Sequence, residues 1–398
     1  MLTNEMITNT ILQEEAAMID FRRELHQHPE LSMEEFETTK RIARELDKLD
    51  VTYRLTEPTG IIAEISGDQP GKTVLLRADI DALPIYEMNR DLPYRSGTDG
   101  TMHACGHDAH AAMLLTAAKA LVSVKDQLKG TVRLVFQPAE ESALGAKKMI
   151  EQGVTDGIDN VFGIHIATWT EAKHFRCPIG EMMAACDILK VRFVGKGGHG
   201  AHPNEAIDAA VMASAFVVNV QAVVAREINP LESAVVTIGK MDVGDRFNVI
   251  AHEAVLDGTV RTFNETTRSQ VEAAVRRYAQ GIAMQYRGEV EVEYIRATEP
   301  VANDVKSAEL VRRIVRERFG ADALEADMKT TGGEDFGFYM LANNTPGAFA
   351  MVGTRNEAAG SHYEHHHGMF NIDESTLKDG AELYALYAYN YLEQAGED

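Results

Sequence analysis

The apolar and polar positions of residues 1–180 follow two alternating patterns. Short branched apolar runs bounded by turn residues predict buried strands at residues 73–78, 131–137 and 161–166. Between them, stretches such as residues 109–124 have helical periodicity, and the N-terminal segment suits an amphipathic helix. The alternation predicts an α/β fold with helices on both faces of a sheet and with its chemistry at the strand ends.

Residues 182–297 follow a different order of elements. Strand and helix patterns succeed one another at residues 187–194, 204–227, 234–242, 253–263, 265–286 and 289–296. The resulting βαββαβ order is that of a ferredoxin-like unit, which forms a complete small domain. The α/β pattern then returns. The sequence therefore predicts a discontinuous larger domain, residues 1–181 and 298–398, and an inserted domain, residues 182–297.

Composition narrows the class of protein. The chain has 398 residues, enough for two domains. Its 39 basic and 61 acidic residues give a net charge of -22, which repels phosphate backbones and argues against nucleic acid as a partner. We expect no membrane segment, because no apolar run approaches bilayer length and the N-terminus lacks a signal pattern. Three cysteines without a disulfide framework predict a cytoplasmic protein.

The densest cluster of reactive side chains is MHACGHDAH, residues 102–110. Cys105 and His107 are two positions apart in a loop that opens a predicted helix, so both side chains can reach one centre. Thiolate and imidazole are preferred ligands of zinc and similar metals. The alternative for Cys105 is a buried small residue. His103 and His110 are interpreted as helix-surface residues.

A pair of carboxylates follows the predicted strand 131–137, in the segment QPAEE. Burying the carboxylates of Glu140 and Glu141 at the end of an apolar strand costs free energy, so their presence there indicates a bound cation or a role in proton transfer. Neighbouring side chains of an extended chain point opposite ways, so one can bind a metal while the other reaches a water molecule. An acidic helix N-terminus is the alternative.

Histidines elsewhere add candidate ligands. His165 in GIHIATW is predicted at a strand end, where a core role is the alternative. In SHYEHHHGMF, one or more of three consecutive histidines is a candidate ligand, and spacing does not choose among His365, His366 and His367.

Two further segments supply carboxylates. In RADIDALP, Asp79 and Asp81 follow a strand and share a face, which suits a carboxylate that orients a ligating imidazole. Turn aspartates before a proline would have the same pattern. TGGEDFGFY, residues 330–339, is interpreted as a tight loop lining a pocket, with a helix N-cap as the alternative.

The predicted inserted domain has its own polar candidates. His199 and His202 lie in the glycine-rich segment GKGGHGAHP, whose spacing does not match a phosphate-binding loop. Asn248 and Arg261 suit the binding of a carboxylate or a carbonyl oxygen. A structural role is the alternative for each.

The ordered set RADIDALP, MHACGHDAH, QPAEE, GIHIATW, GKGGHGAHP, GGEDFGFY and HHHGMF resembles a family of two-metal exopeptidases and deacylases. This family contains aminoacylase, hippurate hydrolase and succinyl-diaminopimelate desuccinylase, and the chain is most similar to its amidohydrolase branch. The resemblance spans nearly the whole chain. It implies a zinc-exopeptidase-like catalytic domain with a mixed sheet and flanking helices, an inserted ferredoxin-like lid domain, and a homodimer or a dimer of dimers.

The resemblance also implies roles for individual residues. The ligands of two divalent metal ions (Zn, Mn, Co or Ni) would be Cys105, His107, Glu141, His165 and His366, with His365 and His367 open as alternatives to His366. Glu140 matches the general base and Asp81 the carboxylate behind a ligand, while His199 matches a lid histidine that reaches the active site of the partner subunit. Asn248 and Arg261 fall on substrate-holding positions. The chain departs from the family pattern at Gly368, where the branch has proline, and at Asp79, where the wider family has a histidine ligand.

We therefore expect a metal-dependent amidohydrolase that acts on a small molecule. It would cleave the amide bond of N-acyl amino acids, with an acetyl or aryl-acyl group, by metal-activated water and a glutamate general base. The alternatives are a dipeptidase or aminopeptidase of the same family, a catalytically inactive metal-binding protein, and a thiol enzyme that uses Cys105.

Overall fold

A computed structural model of the chain describes residues 2–394. They form two compact units. The larger contains the residues up to Gly180, Ala302–Met328 and those from Asp335 onward, and the smaller contains Glu181–Val301 and Lys329–Glu334.

Helices and strands alternate along most of the chain. The helices are α1 Leu2–Gln27, α2 Phe36–Lys48, α3 His107–Val122, α4 Gly145–Glu151, α5 Ala209–Asn219, α6 Glu265–Gln285, α7 Val305–Arg318, α8 Gly337–Leu341 and α9 Leu377–Gln394. The strands are β1 Thr52–Leu55, β2 Ile61–Ser66, β3 Gln69–Asp79, β4 Lys129–Gln137, β5 Asn160–Glu171, β6 Phe175–Arg176, β7 Gly180–Met183, β8 Ala185–Val194, β9 Gly198–His199, β10 Ala234–Val243, β11 Val249–Ile250, β12 Glu253–Thr262, β13 Glu289–Arg296, β14 Val301–Asn303 and β15 Gly347–Arg355.

The larger unit is built on a mixed sheet with the strand order β1-β2-β4-β3-β5-β15-β6. The four central strands β4, β3, β5 and β15 are parallel, and antiparallel strands lie at both edges. Consecutive residues of β3, from Val74 to Leu76, are fully buried, as expected for a strand covered on both faces. Helix α3, which is buried nearly all round, packs against α1, α9 and strand β3. The predicted α/β fold with flanking helices is confirmed.

The smaller unit contains an antiparallel sheet with the order β10-β12-β8-β13. Along the chain these four strands come in the order β8, β10, β12 and β13. Helix α5 lies between β8 and β10 and helix α6 between β12 and β13, which gives the βαββαβ order. Its core includes Leu189, Phe193 and Phe216. A buried ion pair joins Asp187 and Arg268, whose Oδ1 and Nη2 atoms are 2.5 Å apart.

Residues 329–334 differ from the predicted domain division. Their place in the sequence predicts that they belong to the larger domain, whereas Lys329–Glu334 belong to the smaller unit. The reason is backbone pairing, because Thr330 N–H donates to Met182 O at 2.9 Å and Ala184 N–H donates to Thr330 O at 3.2 Å.

One helical segment is more apolar than the sequence analysis expects, although a core helix of a globular protein can have the same length and composition. Residues 209–227 are long and apolar enough, by length and composition, to cross a membrane. Packing accounts for part of this composition, because Met212, Phe216 and Val220 are buried in the core of the smaller unit.

Candidate metal centre

The first turn of α3 presents His107. Gly106 precedes the helix with a φ of +94°, and a Cβ atom there would lie 2.2 Å from Ile166 Cδ1, so only glycine fits. The Nδ1 atom of His107 lies 2.9 Å from the backbone oxygen of Asp81 and 3.0 Å from its Oδ1. Both neighbours are acceptors, so Nδ1 keeps its proton and Nε2 is the nitrogen whose lone pair can bind a metal ion. That Nε2 atom is buried and has no hydrogen-bond partner among the residues that the structure describes.

Two carboxylates approach this lone pair from the turn after β4. Glu140 Oε2 and Glu141 Oε1 each lie 4.0 Å from His107 Nε2. The expectation that the two side chains point opposite ways is wrong, because residues 140–143 form a turn instead of an extended strand. Ala139, just before them, has a left-handed φ of +55°. Both carboxylates therefore face the same imidazole.

Cys105 and His165 meet beside His107. Cys105 Sγ lies 3.5 Å from His165 Nε2. The Nδ1 atom of His165 lies 2.7 Å from the backbone oxygen of Ile166, so this Nε2 atom also presents a lone pair. The prediction that His165 stands at a strand end is wrong. It lies within β5, because β15 supplies backbone partners for β5 as far as Glu171.

The three consecutive histidines have different surroundings. His366 Nε2 lies 3.3 Å from Glu141 Oε1, and a metal ion could be held jointly by His366, Cys105 and Glu141. His365 Nδ1 lies 3.6 Å from Cys105 Sγ, and burial lowers the pKa of His365 to about 3. The ring of His367 instead stacks on a neighbouring tyrosine. The structure therefore brings His365 and His366, but not His367, to the cysteine.

The electrostatic surroundings of these residues favour cations. Burial opposes the charged form of His107, but the nearby Asp79 carboxylate holds its pKa well above the ordinary value, so a metal ion that binds Nε2 would displace a proton. Hydrogen bonding to Cys105 and then to Glu141 raises the pKa of His366 to about 10. Burial, reinforced by the charge of Glu141, raises the pKa of the Cys105 thiol. The same negative surroundings would stabilise a metal ion, and that ion would in turn stabilise the thiolate bound to it.

Asp79 is held in place by Arg77 and His110. Arg77 Nη1 lies 2.6 Å from Asp79 Oδ2, and His110 Nδ1 lies 2.5 Å from Asp79 Oδ1. His110 Nε2 accepts the backbone N–H of Ile166 at 2.9 Å, so both of its ring nitrogens are engaged. The interpretation of His103 and His110 as surface residues is wrong, because both are buried around an enclosed helix.

Other polar residues near the cluster were not predicted from the sequence. Asp81 Oδ2 accepts the Ser32 hydroxyl at 2.7 Å and the Glu141 backbone N–H at 3.0 Å. Ser32 is the last residue of the segment HQHPELS, residues 26–32, which precedes the motifs that carry the family resemblance. Asp335, predicted only as part of a pocket loop, accepts a hydrogen bond from the buried Arg77 at 2.8 Å.

The other predicted residues belong to the smaller unit. His199 on β9 pairs with Val249 on β11, and Gly200 N–H donates to Asn248 O at 2.9 Å, so His199 and Asn248 lie on one two-stranded ribbon. Both side chains are exposed. Arg261 on β12 is half-buried, and its Nη1 donates to the backbone of Val260 at 3.1 Å.

The donor atoms in the larger unit fit a divalent metal ion. Among the described residues of this unit, four overlapping groups have ligand atoms within 4.8 Å of one another: Cys105, His107 and His165; Cys105, Glu141 and His366; His107, Glu140 and Glu141; and Asp79, His107 and His110. This set of sulfur, nitrogen and oxygen atoms suits zinc and neighbouring metals. A metal ion would also satisfy the buried lone pair of His107, which otherwise lacks a partner among the described residues.

A ligand cluster of this kind at the edge of a mixed α/β sheet defines the class of metal-dependent hydrolases. The chain belongs to peptidase family M20/M25/M40, whose family model matches residues 75–390. This confirms the resemblance inferred from the sequence.

Individual relatives agree with the family assignment. The chain is 38% identical over 391 residues to thermostable carboxypeptidase 1 of Saccharolobus solfataricus, covering 97% of this chain and 98% of the relative. It is 41% identical over 366 residues to N-acetyl-L-cysteine deacetylase of Bacillus subtilis, covering 91% and 85%. A crystal structure of a Bacillus subtilis protein described as a dinuclear metal-binding peptidase of the M20 family matches with a TM-score of 0.84 and 36% identity, covering 95% of this chain and 98% of that one. The protein is a hydrolase that acts on amide bonds, and its family relationship supports metal-dependent hydrolysis.

Proposed function

We propose that the protein hydrolyses N-acyl amino acids and that Glu140 is the general base. Two divalent cations would be held by Cys105, His107, Glu141, His165 and His366. The observation that carries the proposal is the convergence of Glu140 and Glu141 on the lone pair of His107, each at 4.0 Å. One carboxylate can serve as a ligand while its neighbour handles a proton.

Each residue of the cluster has a separate role in the proposed hydrolysis. Divalent cations at this cluster would supply Lewis acidity to the amide carbonyl and acidify water. Glu140 accepts the proton of the attacking water and delivers it to the departing amine. Asp81 fixes the tautomer of His107, so that Nε2 faces the cluster. The soft Cys105 thiolate favours zinc, although a mixed ligand set also accepts manganese, cobalt or nickel.

Residues of the smaller unit are proposed to recognise the substrate. Arg261 and Asn248 would bind the amino acid carboxylate, and His199 would donate a hydrogen bond to the developing oxyanion. We expect Arg261→Ala to raise KM more than it lowers kcat, because the carboxylate is bound equally in the ground and transition states. His199→Ala should mainly lower kcat. Steady-state kinetics on one N-acetyl amino acid would distinguish the two effects.

A substrate comparison tests the proposed activity. Metal-loaded protein would be assayed with N-acetyl amino acids, hippurate, indole-acetyl conjugates and dipeptides. Higher kcat/KM on the N-acyl compounds supports the proposal. A preference for dipeptides would overturn it in favour of the peptidase alternative, which the 38% identity to a carboxypeptidase keeps relevant.

The role of Glu140 needs a separate variant. Glu140→Gln should lower kcat by about 10²–10⁴-fold, because the amide cannot accept the proton. Its metal content should stay that of the wild type. Glu151→Gln is the matched control, since Glu151 is an exposed glutamate that pairs with Lys148 at 2.9 Å. Near-normal turnover of folded Glu140→Gln would exclude Glu140 as the base.

We also propose a homodimer formed through the smaller unit and a cytoplasmic location. Exposed apolar side chains on α5 and β10 support such an interface, among them Val218 at 73% exposure and Val235 at 38%. The sparse free cysteines support a reducing compartment. Sedimentation should give twice the chain mass for the wild type and a smaller species for Val218→Glu. A monomeric wild type would exclude the dimer.

A further inference from the structure

Glu35 is a buried carboxylate whose position its own helix does not explain. It precedes α2 at the N-cap position, yet its side chain makes no capping hydrogen bond to that helix. Its relative exposure is 0%, and burial raises its pKa to about 7. Burying a carboxyl group is costly unless hydrogen bonds compensate it. Its partners therefore indicate what it does.

Neutral donors surround this carboxylate. Glu35 Oε1 accepts the backbone N–H of Ala139 at 2.8 Å and that of Met33 at 3.1 Å. Glu35 Oε2 accepts the Thr59 hydroxyl at 2.6 Å. Within residues 2–394, Glu35 forms no ion pair that would explain its burial. The bond to Thr59 reaches the loop before β2, and the bond to Ala139 reaches the turn after β4, 104 positions along the chain.

That bond fixes the beginning of the turn that carries Glu140 and Glu141. Ala139 has a φ of +55° and Ala143 a φ of +56°, a left-handed conformation that costs roughly 1–2 kcal/mol for a residue with a Cβ atom. Such conformations persist where surrounding contacts over-determine them. Here the N–H of Ala139 donates to Glu35 and the N–H of Glu141 donates to Asp81. Two buried carboxylates therefore hold alternate residues of one strained turn.

The segment containing Glu35 also secures the second carboxylate. Ser32, three residues earlier, donates its hydroxyl to Asp81 at 2.7 Å. Leu31 forms a backbone bridge with Ala82, next to Asp81. Residues 31–35 therefore include Glu35 and also contact Asp81, and these are the two carboxylates that accept backbone N–H groups of the turn.

We propose that Glu35 is a positioning residue, which holds the turn 139–143 so that Glu140 and Glu141 face His107. The proposal rests on the proposed function in assigning Glu141 to metal binding and Glu140 to proton transfer. Glu35 acts through the backbone of Ala139 and touches neither substrate nor metal.

Three variants separate positioning from general stability. Glu35→Ala removes the acceptor for Ala139 N–H. Glu35→Gln is the conservative control, because its amide oxygen still accepts that N–H and its amide nitrogen can pair with Thr59. Glu35→Ala combined with Ala139→Gly tests the mechanism, because glycine adopts the left-handed conformation at no steric cost.

The first readout is amide hydrogen exchange of residues 139–145 in metal-free protein, with residues 61–66 of β2 as the internal reference. Glu35→Ala should speed exchange of the turn and leave β2 unchanged, whereas Glu35→Gln should match the wild type. The second readout is Zn²⁺ affinity by competition with a chelator. Glu35→Ala should weaken it by about 10–100-fold, as loss of an outer support for metal ligands does. The added Ala139→Gly should recover part of that loss.

Unchanged exchange of residues 139–145 in Glu35→Ala would overturn the positioning role, as would unchanged Zn²⁺ affinity in a variant that only melts at a lower temperature. Failure of the wild type to bind Zn²⁺ would refute the proposed function instead. The exchange measurement would still decide the role of Glu35, because it requires neither metal nor substrate.

Discussion

Two buried carboxylates beside the ligand cluster are stabilised in different ways. Asp81 accepts hydrogen bonds from His107, Ser32 and the backbone of Glu141. Although burial opposes its ionisation, the bond from His107 keeps the pKa of Asp81 below the ordinary value. Glu35 has only neutral donors, and burial raises its pKa to about 7. Asp81 is therefore ionised at neutral pH, whereas Glu35 changes protonation there.

This difference predicts how stability depends on pH. Because the pKa of Glu35 rises from 4.5 to about 7 on folding, the folded protein keeps a proton that the unfolded chain releases in that window. The free energy of unfolding should thus fall as pH rises from about 4.5 to 7, by at most roughly 3 kcal/mol. Glu35→Gln lacks this contribution, and urea unfolding of metal-free protein at about pH 5 and pH 8 measures it. Parallel pH profiles of the two proteins would contradict the prediction.

The residue types in the sequence predict which side chains can bind a metal ion, but they do not predict the hydrogen bonds that orient those side chains. The spacing of Cys105 and His107 predicts a shared centre, and both side chains do lie beside His165. The burial of His110 was missed because its partners are distant in sequence, at Asp79 and at the backbone of Ile166. A single sequence reveals donors and acceptors, but it does not reveal which of them the fold pairs.

At the scale of elements, the beginning of α3 sets the geometry of the cluster. Gly106 lies between Cys105 and His107 and turns the chain into the helix with a left-handed φ of +94°. A Cβ atom there would meet Ile166 of β5 at 2.2 Å. The close approach of α3 to β5 therefore brings Cys105 and His107 to His165.

Two glycine substitutions test this close approach. Gly157→Ala, at a φ of +70° with nothing within 4 Å of the added Cβ, should cost about 1 kcal/mol of stability and leave metal affinity unchanged. Gly106→Ala should cost a further ~1–3 kcal/mol from overpacking and weaken metal binding at least tenfold, since both neighbouring ligands must move. Urea unfolding and chelator competition measure the two effects. Equal metal affinity in the two variants would contradict this account.

Element types were predicted more accurately than element ends. The apolar run 161–166 correctly marks a strand, but β5 continues to Glu171 because β15 pairs with it as far as Arg355. Likewise, the chain after β4 turns instead of staying extended, because Glu35 and Asp81 accept the N–H groups of Ala139 and Glu141. Local patterns determine where an element begins to form, whereas its length depends on partners supplied by other parts of the chain.

At the scale of the whole molecule, the chain has two separate apolar cores, one in each compact unit. The βαββαβ pattern was readable because the smaller unit is nearly continuous in sequence. The return of Lys329–Glu334 to that unit was not, because these few residues join it through backbone hydrogen bonds that no side-chain pattern marks. All five proposed metal ligands lie in the larger unit.

Because each unit has its own apolar core, we expect the two units to unfold separately and bound metal to stabilise only the larger one. Calorimetry of the metal-loaded protein should show two unfolding transitions, of which a chelator lowers only the one that belongs to the larger unit. Metal at a thousandfold above its Kd contributes about 4 kcal/mol, enough to move that transition by roughly 10 °C. His107→Ala should abolish the response. Asp187→Ala identifies the other transition, because it removes the buried carboxylate that pairs with Arg268 in the smaller unit and leaves that arginine, among the described residues, only the carboxylates of Glu299, at 2.7 Å, and Glu265, at 3.8 Å. A single transition, or equal shifts of both on chelation, would mean that the two units unfold together and that metal binding stabilises the molecule as a whole.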